Sequence, residues 1–277
     1  MKEQIAAAIE AVREKKPLTH VITHQITAND TANAILALGA RPIMAEHPAE
    51  IKEIVAAVSA LGVSLGNIND SRLQAIRIAG ETACGSHKPH IIDCVGTAVS
   101  RLRFDFAHDY ISGCRPAVVK GNASELLALV GCSSHAVGVD AGEEDALYRR
   151  LSEGRNDSAE LKALSDFSRQ NKTVVVITGE QDIVIAEKNV ALVSNGTPLL
   201  GRITGTGCML TGIITAFLGA GAAPLTAALA GLTVLGAAGE KAAAQAGINH
   251  PGTFHSLLFD ALAEISPANL EAKVKMI

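Results

Sequence analysis

The stretch Gly201-Arg-Ile-Thr-Gly-Thr-Gly-Cys-Met209 joins a short apolar segment to the uncharged, helix-forming run at residues 210–218. Glycines in such a turn permit positive φ and let a ligand approach the backbone closely. The first N–H groups of a helix beginning near Thr206 have no acceptor inside that helix, and the helix dipole favours negative charge there. We therefore predict an anion site at Gly205-Thr206-Gly207-Cys208, hereafter the glycine turn. The alternative is an ordinary tight turn with a buried cysteine.

Length, charge and cysteine usage limit the class of protein. The chain has 277 residues, enough for one large α/β domain or two smaller ones. Lys and Arg number 24 against 28 Asp and Glu, a formal charge of −4 that argues against a nucleic-acid-binding surface. Five cysteines lie scattered without a CxxC pair, so we expect a reducing, cytoplasmic compartment and no zinc site. The absence of a linker or repeat predicts one domain over residues 1–277.

One segment is long and uncharged enough to be considered for the membrane. No charged residue occurs between Arg202 and Glu240. Glycines and Pro224 at residues 219–224 divide this span into two pieces, whereas a membrane-spanning helix needs about 20 continuous apolar residues. Alanine, glycine and threonine dominate it, and such small residues insert weakly. We therefore predict two buried core helices.

Strand and helix patterns alternate along the chain. The predicted strands are residues 18–23, 42–45, 61–65, 90–94, 117–120, 136–139, 173–178, 182–186, 190–194 and 199–203. Helical patterns separate most of them, and a last predicted helix covers residues 268–274. Strands separated by helices imply a mainly parallel sheet covered by helices on both faces, an α/β fold. Residues 182–203 hold three strand patterns and no helix, which predicts an antiparallel edge.

Glycines and polar side chains follow five of the predicted strands, at the point where each strand ends. They are Gly66, Asn67 and Asp70; Asp93 and Gly96; Lys120, Asn122 and Glu125; Thr178, Gly179 and Glu180; and Thr204 with the glycine turn. In open α/β sheets, ligands bind outside the carboxyl ends of the strands. The sequence therefore predicts one site at this edge of the sheet.

The residue types at this edge suit phosphoryl transfer. Asp93 and Glu125 offer oxygen ligands for Mg²⁺, and Lys120 offers a point charge for phosphate. The N–H groups of the glycine turn suit the charge that develops during transfer. Each residue also has a structural interpretation: Asp93 as a turn cap, Glu125 as the acid of a capping box with Asn122. The chain lacks a GxxxxGK[ST] loop and a GxGxxG after its first strand, which disfavours P-loop and dinucleotide-binding enzymes.

Together these stretches resemble the ribokinase-like superfamily and, within it, the hydroxyethylthiazole kinase family. The matching stretches run through nearly the whole chain: Thr31-Ala-Asn33, Leu38-Gly-Ala-Arg-Pro-Ile-Met-Ala45, Asp93-Cys-Val-Gly96, Val119-Lys-Gly-Asn-Ala-Ser-Glu125, Gly138-Val-Asp140, Val176-Ile-Thr-Gly-Glu180 and Thr204-Gly-Thr-Gly-Cys-Met209. Most ribokinase-like relatives have Asp at the position of Cys208. The resemblance implies a three-layer sandwich, a homotrimer with the thiazole pocket at the subunit interface, and ATP- and Mg²⁺-dependent phosphorylation of the alcohol of 4-methyl-5-(2-hydroxyethyl)thiazole.

The resemblance also implies a role for individual residues. It assigns Met44 and Gly205 to the thiazole alcohol, Lys120 and Thr178 to ATP, Asp93 and Glu125 to Mg²⁺ and phosphate, and Cys208 to a place beside the attacking hydroxyl, with Thr206 and Gly207 completing the catalytic turn.

Three positions depart from the family's usual pattern. His24 stands where the family usually has Asn, and Cys94 stands where it usually has Pro. The segment Ser64-Leu-Gly-Asn67 stands where the family usually has Asn-x-Gly-Thr. His24 and Asn67 are expected near the alcohol-binding side, although His24 is as well explained by a purely structural role. These changes leave open a kinase for another small alcohol, such as hydroxymethylpyrimidine.

Two further classes of function stay open at this point. A hydrolase with Cys208 as nucleophile needs a partnered general base, and no histidine lies in the strand-end motifs. A non-catalytic thiazole or nucleotide sensor would not need Asp93, Glu125 and the glycine turn together.

Overall fold

The computed structural model describes residues 1–132 and 158–277. The predicted strand at 136–139 and the Gly138-Val-Asp140 match lie outside the described residues. Numbered in order along the described chain, the helices are α1 (Lys2–Lys15), α2 (Gln25–Leu38), α3 (Ile51–Ala57), α4 (Asp70–Gly85), α5 (Arg101–Cys114), α6 (Ala123–Leu129), α7 (Ala159–Asn171), α8 (Thr206–Gly219), α9 (Pro224–Ala246) and α10 (Pro251–Glu264). The strands are β1 (Leu18–Ile22), β2 (Arg41–Ile43), β3 (Ala60–Ser64), β4 (His90–Asp93), β5 (Val118–Asn122), β6 (Val174–Thr178), β7 (Asp182–Ala186), β8 (Asn189–Val193) and β9 (Val274–Met276).

These strands form one sheet in the order β2-β1-β3-β4-β5-β6-β7-β8-β9. From β2 to β6 all neighbours are parallel, and β6 to β9 pair antiparallel. The parallel strands all end at one edge because helices carry the chain back between them. The mainly parallel sheet and the antiparallel edge are both confirmed.

Two hydrophobic cores cover the two faces of the sheet. Val174 and Val176 of β6 point into the core formed with α1, α2, α8, α9 and α10. Val175 and Ile177 of the same strand point into the core formed with α3 to α7. Successive side chains of a strand alternate between faces, so a strand covered on both faces is apolar throughout. The three-layer arrangement follows.

Two predicted elements are wrong. Residues 199–203 are not a strand: Pro198–Arg202 form a 3₁₀ helix, which Pro198 begins and the Thr197 side chain caps. Proline has no N–H for a sheet ladder but is tolerated in the first turn of a helix. Residues 268–274 are not a helix either, because β9 at Val274–Met276 pairs with β8 and completes the antiparallel edge.

The uncharged segment forms α8 and α9, as predicted, with the break between Gly219 and Pro224. Phe217 of α8 and Val234 of α9 are fully buried. Among the described residues no helix has the length and apolar character needed to cross a membrane.

Candidate active site

The ends of the parallel strands converge as predicted. Asp93, the last residue of β4, is in register with Ser64 of β3 on one side and Lys120 of β5 on the other. Asn122 of β5 is in register with Thr178 of β6. Parallel pairing places these side chains at one edge of the sheet.

Asp93 and Lys120 form a buried ion pair at the centre of this edge. Lys120 Nζ lies 2.9 Å from Asp93 Oδ2, with side chains 3% and 2% exposed. Burial by itself lowers the pKa of Lys120, but the adjacent Asp93 carboxylate, together with Cys208 and Glu125, outweighs burial, so the pKa is raised overall. Lys120 therefore carries a positive charge that water does not screen.

The ion pair is tied to the helix that follows the glycine turn. Thr211 Oγ1 of α8 lies 3.2 Å from Asp93 Oδ2, and the same hydroxyl lies 3.1 Å from the carbonyl oxygen of Gly207. A Cβ built on Gly207 would lie 3.7 Å from Lys120 Nζ. The Lys120 ammonium thus lies directly behind the glycine turn, and the structure brings Asp93 and Lys120 together with it.

The glycine turn has the backbone that an anion site requires. Gly205 has φ of +91° and is the N-cap of α8. A Cβ at Gly205 would lie 2.7 Å from Thr27 Cγ2, so a side chain is excluded by packing as well as by φ. The first backbone bond runs from Met209 N to Gly205 O, so the N–H groups of Thr206, Gly207 and Cys208 have no acceptor within α8.

Glu125 is the acid of a capping box, one of the two roles that the sequence left open. Its Oε2 accepts the N–H of Asn122 at 2.8 Å, and its Oε1 accepts the N–H of Gly96 at 2.8 Å. Burial raises the pKa of Glu125, and the two backbone hydrogen bonds oppose that rise. Glu125 therefore joins the loop after β4, which follows Asp93, to the start of α6.

Thr178 and two residues of the glycine turn, Thr206 and Gly207, line one open cleft of about 880 Å³. Its polar wall comes from the β6–β7 turn, where Gly179 N–H donates to Asp182 Oδ1 at 3.1 Å. Its apolar wall comes from Leu200, Leu232 and Leu235. The cleft matches a ligand with an anionic end and an apolar end.

The strand-end motifs contain no histidine, but His24, which lies outside them, is next to Cys208. It is the residue before α2, and its Nε2 lies 3.6 Å from Cys208 Sγ and 3.2 Å from Thr27 Oγ1. A Cβ on Gly66 would lie 2.5 Å from His24 Cδ2, so the imidazole packs closely on the loop that follows β3. Cys208 lies in the first turn of α8, as predicted, and is buried.

Asn67 and Met44 lie on two loops that one ion pair organises. Asn67 has φ of +46°, and its carbonyl accepts a hydrogen bond from Arg72 Nη1. The buried Arg72 also forms an ion pair with Glu46, with Nη2 2.7 Å from Oε2. Glu46 lies two residues beyond the partly buried Met44. Arg72 therefore links the loop after β2 with the loop after β3.

Three residues of this site are missed by the motifs. Thr211, Thr27 and Arg72 lie inside helices, where no strand end or glycine marks them. For Thr211 a signal exists in the sequence, because Cys208, Thr211 and Thr215 recur at helical spacing in an otherwise apolar helix. For Thr27 and Arg72 only the packing of separate loops reveals the role.

Comparison with known proteins gives matches over nearly the whole chain. The profile of the hydroxyethylthiazole kinase family matches residues 9–268. Hydroxyethylthiazole kinase 2 of Clostridium botulinum strain 657 is 40% identical over 267 residues, 96% of this chain and 97% of that one. Hydroxyethylthiazole kinase of Exiguobacterium sibiricum is 37% identical, over 95% and 96% of the two chains.

Solved structures share the fold. That of hydroxyethylthiazole kinase from Pyrococcus horikoshii OT3 superposes with a TM-score of 0.85 at 32% identity, over 99% of both chains. A ribokinase-like superfamily protein from Enterococcus faecalis V583 superposes with a TM-score of 0.66 at 11% identity, over 96% and 95% of the chains, and bears on the fold alone. On these matches the chain has the ribokinase-like fold, is a kinase, and belongs to the hydroxyethylthiazole kinase family.

Proposed function

We propose that this kinase transfers the γ-phosphoryl group of ATP to the primary alcohol of 4-methyl-5-(2-hydroxyethyl)thiazole, with Mg²⁺ as the metal. The single observation that supports the chemistry is the buried Lys120–Asp93 pair, 2.9 Å apart, directly behind a glycine turn whose three N–H groups have no acceptor within α8. Phosphoryl transfer depends mainly on positioning and on stabilising the charge of the transferring group. This arrangement supplies both.

We assign the nucleotide to the cleft that Thr178 and the glycine turn share. The three N–H groups of Thr206, Gly207 and Cys208 would face the γ-phosphate, and Lys120 would add a positive charge behind them. Leu200, Leu232 and Leu235 offer an apolar surface to the adenine ring at the other wall. Thr178, at the end of β6, would contact the nucleotide from the polar wall.

Asp93 and Glu125 fit a Mg²⁺ that is held largely through water and phosphate. The described residues contain no group of three or more His, Cys, Asp or Glu side chains that could hold a metal ion. Asp93 and Glu125 each already accept hydrogen bonds from the protein. Mg²⁺ usually keeps several waters and takes one or two carboxylates plus substrate phosphates. When bound there, Mg²⁺ would neutralise phosphate charge.

We place the alcohol on the Cys208 side of the glycine turn. Gly205, Met44, His24 and Asn67 would surround it, and Cys208 would lie beside its hydroxyl. If the transition state is loose, the hydroxyl needs little deprotonation before the new bond forms, so a thiol can replace the usual carboxylate base. We therefore expect Cys208→Ala to lose no more than about 10²–10⁴ in kcat, the usual contribution of one acid–base group.

The oligomer, the domain and the compartment are part of this proposal. We propose one kinase domain over residues 1–277, supported by the single sheet that runs from β2 to β9. We propose a homotrimer with its pockets at the subunit interfaces; Ile26, beside the predicted alcohol side, is 65% exposed and would be covered there. Five free cysteines suit a cytoplasmic location. Light scattering of the purified protein tests the trimer, and a monomer would refute it.

The decisive experiment incubates the full chain with ATP, Mg²⁺ and the thiazole alcohol and follows the phosphate ester by mass. A parallel reaction contains hydroxymethylpyrimidine, because His24 and Asn67 depart from the usual pattern near the alcohol side. We expect alcohol-dependent ADP release and the thiazole phosphate. Preference for the pyrimidine would replace the proposed substrate, and ATP turnover independent of either alcohol would refute the proposal.

A further inference from the structure

His24 and Cys208 lie next to each other in the structure although 184 positions separate them in the sequence. His24 Nε2 lies 3.6 Å from Cys208 Sγ, within hydrogen-bond distance for sulfur. His24 precedes α2 and Cys208 lies in the first turn of α8, and these two helices pack against each other. A thiol beside an imidazole can pass its proton to the ring.

The imidazole is held in this position by its neighbours. Thr27, in the first turn of α2, places its hydroxyl 3.2 Å from the same Nε2. On the other side, a Cβ built on Gly66 would lie 2.5 Å from Cδ2 of His24, so the ring fits only against a glycine. The ring is therefore fixed by packing from α2 and from the loop after β3.

The charges around the pair favour a neutral imidazole that can accept a proton. Burial lowers the pKa of His24, the Arg72 guanidinium lowers it further, and the Asp93 carboxylate opposes both. The Lys120 ammonium interacts favourably with a negative charge on Cys208. A neutral ring next to a thiol, with a cation near the sulfur, is the arrangement in which a proton moves from sulfur to nitrogen.

We propose that His24 is a positioning residue that orients the Cys208 thiol and accepts its proton during phosphoryl transfer. The inference rests on the proposed function. As the bond from the substrate hydroxyl oxygen to the γ-phosphorus forms, the bond from phosphorus to the β,γ-bridging oxygen breaks and ADP leaves. The hydroxyl proton moves to Cys208 Sγ, the thiol proton moves to His24 Nε2, and the imidazolium releases it to solvent.

A double-mutant cycle on the full chain tests this coupling. The variants are His24→Asn, Cys208→Ala and the double variant, with His108→Asn on the exposed surface of α5 as the matched control. We expect His24→Asn to lower kcat about 10- to 100-fold with KM changed less than about threefold, and the double variant to match Cys208→Ala alone. Independent losses that multiply in the double variant would overturn the inference.

The pH profile and thiol reactivity separate proton acceptance from a merely structural role. In the wild type kcat falls at low pH, where the imidazole becomes protonated. In His24→Asn the low-pH limb should move up by at least about one pH unit, because the thiol then has to lose its proton without the imidazole as acceptor. Iodoacetamide labelling at pH 7, quantified by mass at the Cys208 peptide, should slow about threefold or more in the same variant. An unchanged profile with unchanged labelling would refute the proposal.

These readouts keep the failure of this inference distinct from failure of the proposed function. Labelling of Cys208 needs no substrate, so it tests the pair even in a protein that makes no thiazole phosphate. If the wild type makes the phosphate ester and the cycle is additive, only the role of His24 fails. If labelled enzyme and Cys208→Ala are both wholly inactive, the result favours Cys208 as a nucleophile in a hydrolase, against both the proton route and the kinase mechanism.

Discussion

Lys120 and Asp93 face each other at 2.9 Å from adjacent parallel strands, in direct register and almost completely buried. The attraction within such a pair barely repays the cost of removing two charges from water, so a buried ion pair is weak support for stability. Its position behind the glycine turn fits the role that we propose for it, which is to hold one positive charge where phosphate would bind.

Breaking this pair should destabilise the protein, whereas replacing both partners should not. Asp93→Asn leaves the Lys120 ammonium without its buried partner, and we expect a loss of about 3–5 kcal/mol in the free energy of unfolding. Asp93→Asn with Lys120→Met, which removes both charges, should recover most of that loss. Urea unfolding measures the stability, and the phosphate-ester assay measures activity, which we expect to be lost in both variants.

The surface pair Arg101–Asp105, with side chains 83% and 51% exposed, provides the control. Asp105→Asn should cost less than about 1 kcal/mol and leave activity unchanged. Should the double variant at Asp93 and Lys120 retain activity, the charge behind the turn has no part in the reaction.

Three glycines in and near the turn should respond differently to alanine. In Gly205→Ala the new side chain has to adopt a φ of +91° and lies 2.7 Å from the Thr27 methyl group. We therefore expect the free energy of unfolding to fall by more than about 1 kcal/mol and the activity to be lost as well. Gly207→Ala makes only an ordinary contact with Lys120, so the protein should fold normally but bind ATP more weakly, because the methyl group stands between the turn and the Lys120 ammonium that we assign to the phosphate.

Gly201→Ala is the control for a methyl group added elsewhere in the same cleft, since no atom lies within 4 Å of the added Cβ. Thermal unfolding and calorimetric titration with ATP distinguish the three variants. Equal ATP affinity in Gly207→Ala and Gly201→Ala would contradict the proposed phosphate position.

Glu125→Gln separates the capping role from the metal role. The glutamine amide has only one oxygen, so it cannot accept both the Asn122 and the Gly96 N–H groups, which use different oxygens of Glu125. We therefore expect the free energy of unfolding to fall by about 0.5–2 kcal/mol, as for other helix caps. If Glu125 also serves Mg²⁺, kcat should fall and the Mg²⁺ concentration for half-maximal rate should rise.

Ser100, whose side chain caps α5 by accepting from Arg103 N, is the control for a cap without a metal. Ser100→Ala should cost a similar stability and leave the Mg²⁺ dependence unchanged. Identical Mg²⁺ titrations for the wild type and Glu125→Gln would show that Glu125 is only a cap.

Asp182 should make stability depend on pH. Burial raises the pKa of Asp182 from 3.8 to about 7, against the opposing effects of the Gly179 N–H and the Lys120 charge. The folded protein therefore holds a proton that the unfolded chain loses between these two values. The stabilisation is fully present below pH 3.8 and is lost as the pH rises to about 7.

Asp182→Asn removes this dependence while keeping an oxygen that can accept the Gly179 N–H. Between pH 4 and pH 7 the free energy of unfolding of the variant should rise by about 1–2 kcal/mol relative to that of the wild type. Screening by water in the open cleft limits this rise. Unfolding curves at several pH values measure it, with Asp166→Asn on the surface of α7 as the control. If the difference in free energy of unfolding between Asp182→Asn and the wild type stays constant across this pH range, the raised pKa of Asp182 is contradicted.

Much of the fold could be predicted because burial leaves a regular trace in the sequence. Apolar runs such as that at Val174–Thr178 indicate strands covered on both faces, and the alternation with helices predicts parallel pairing. The two wrong elements are those in which pairing or a proline outweighs local pattern: β9 forms because β8 offers an unpaired edge, and Pro198 begins a 3₁₀ helix.

The sequence by itself determined which loops lie at the edge of the sheet that forms the candidate site, because glycines and polar residues at strand ends are local signals and parallel strands share one edge. Only the tertiary structure decided which of these side chains meet. Lys120 pairs with Asp93 through strand register, and His24 reaches Cys208 because α2 packs on α8. Such contacts join residues far apart in the chain, and their energy depends on distance and burial, which no local pattern encodes.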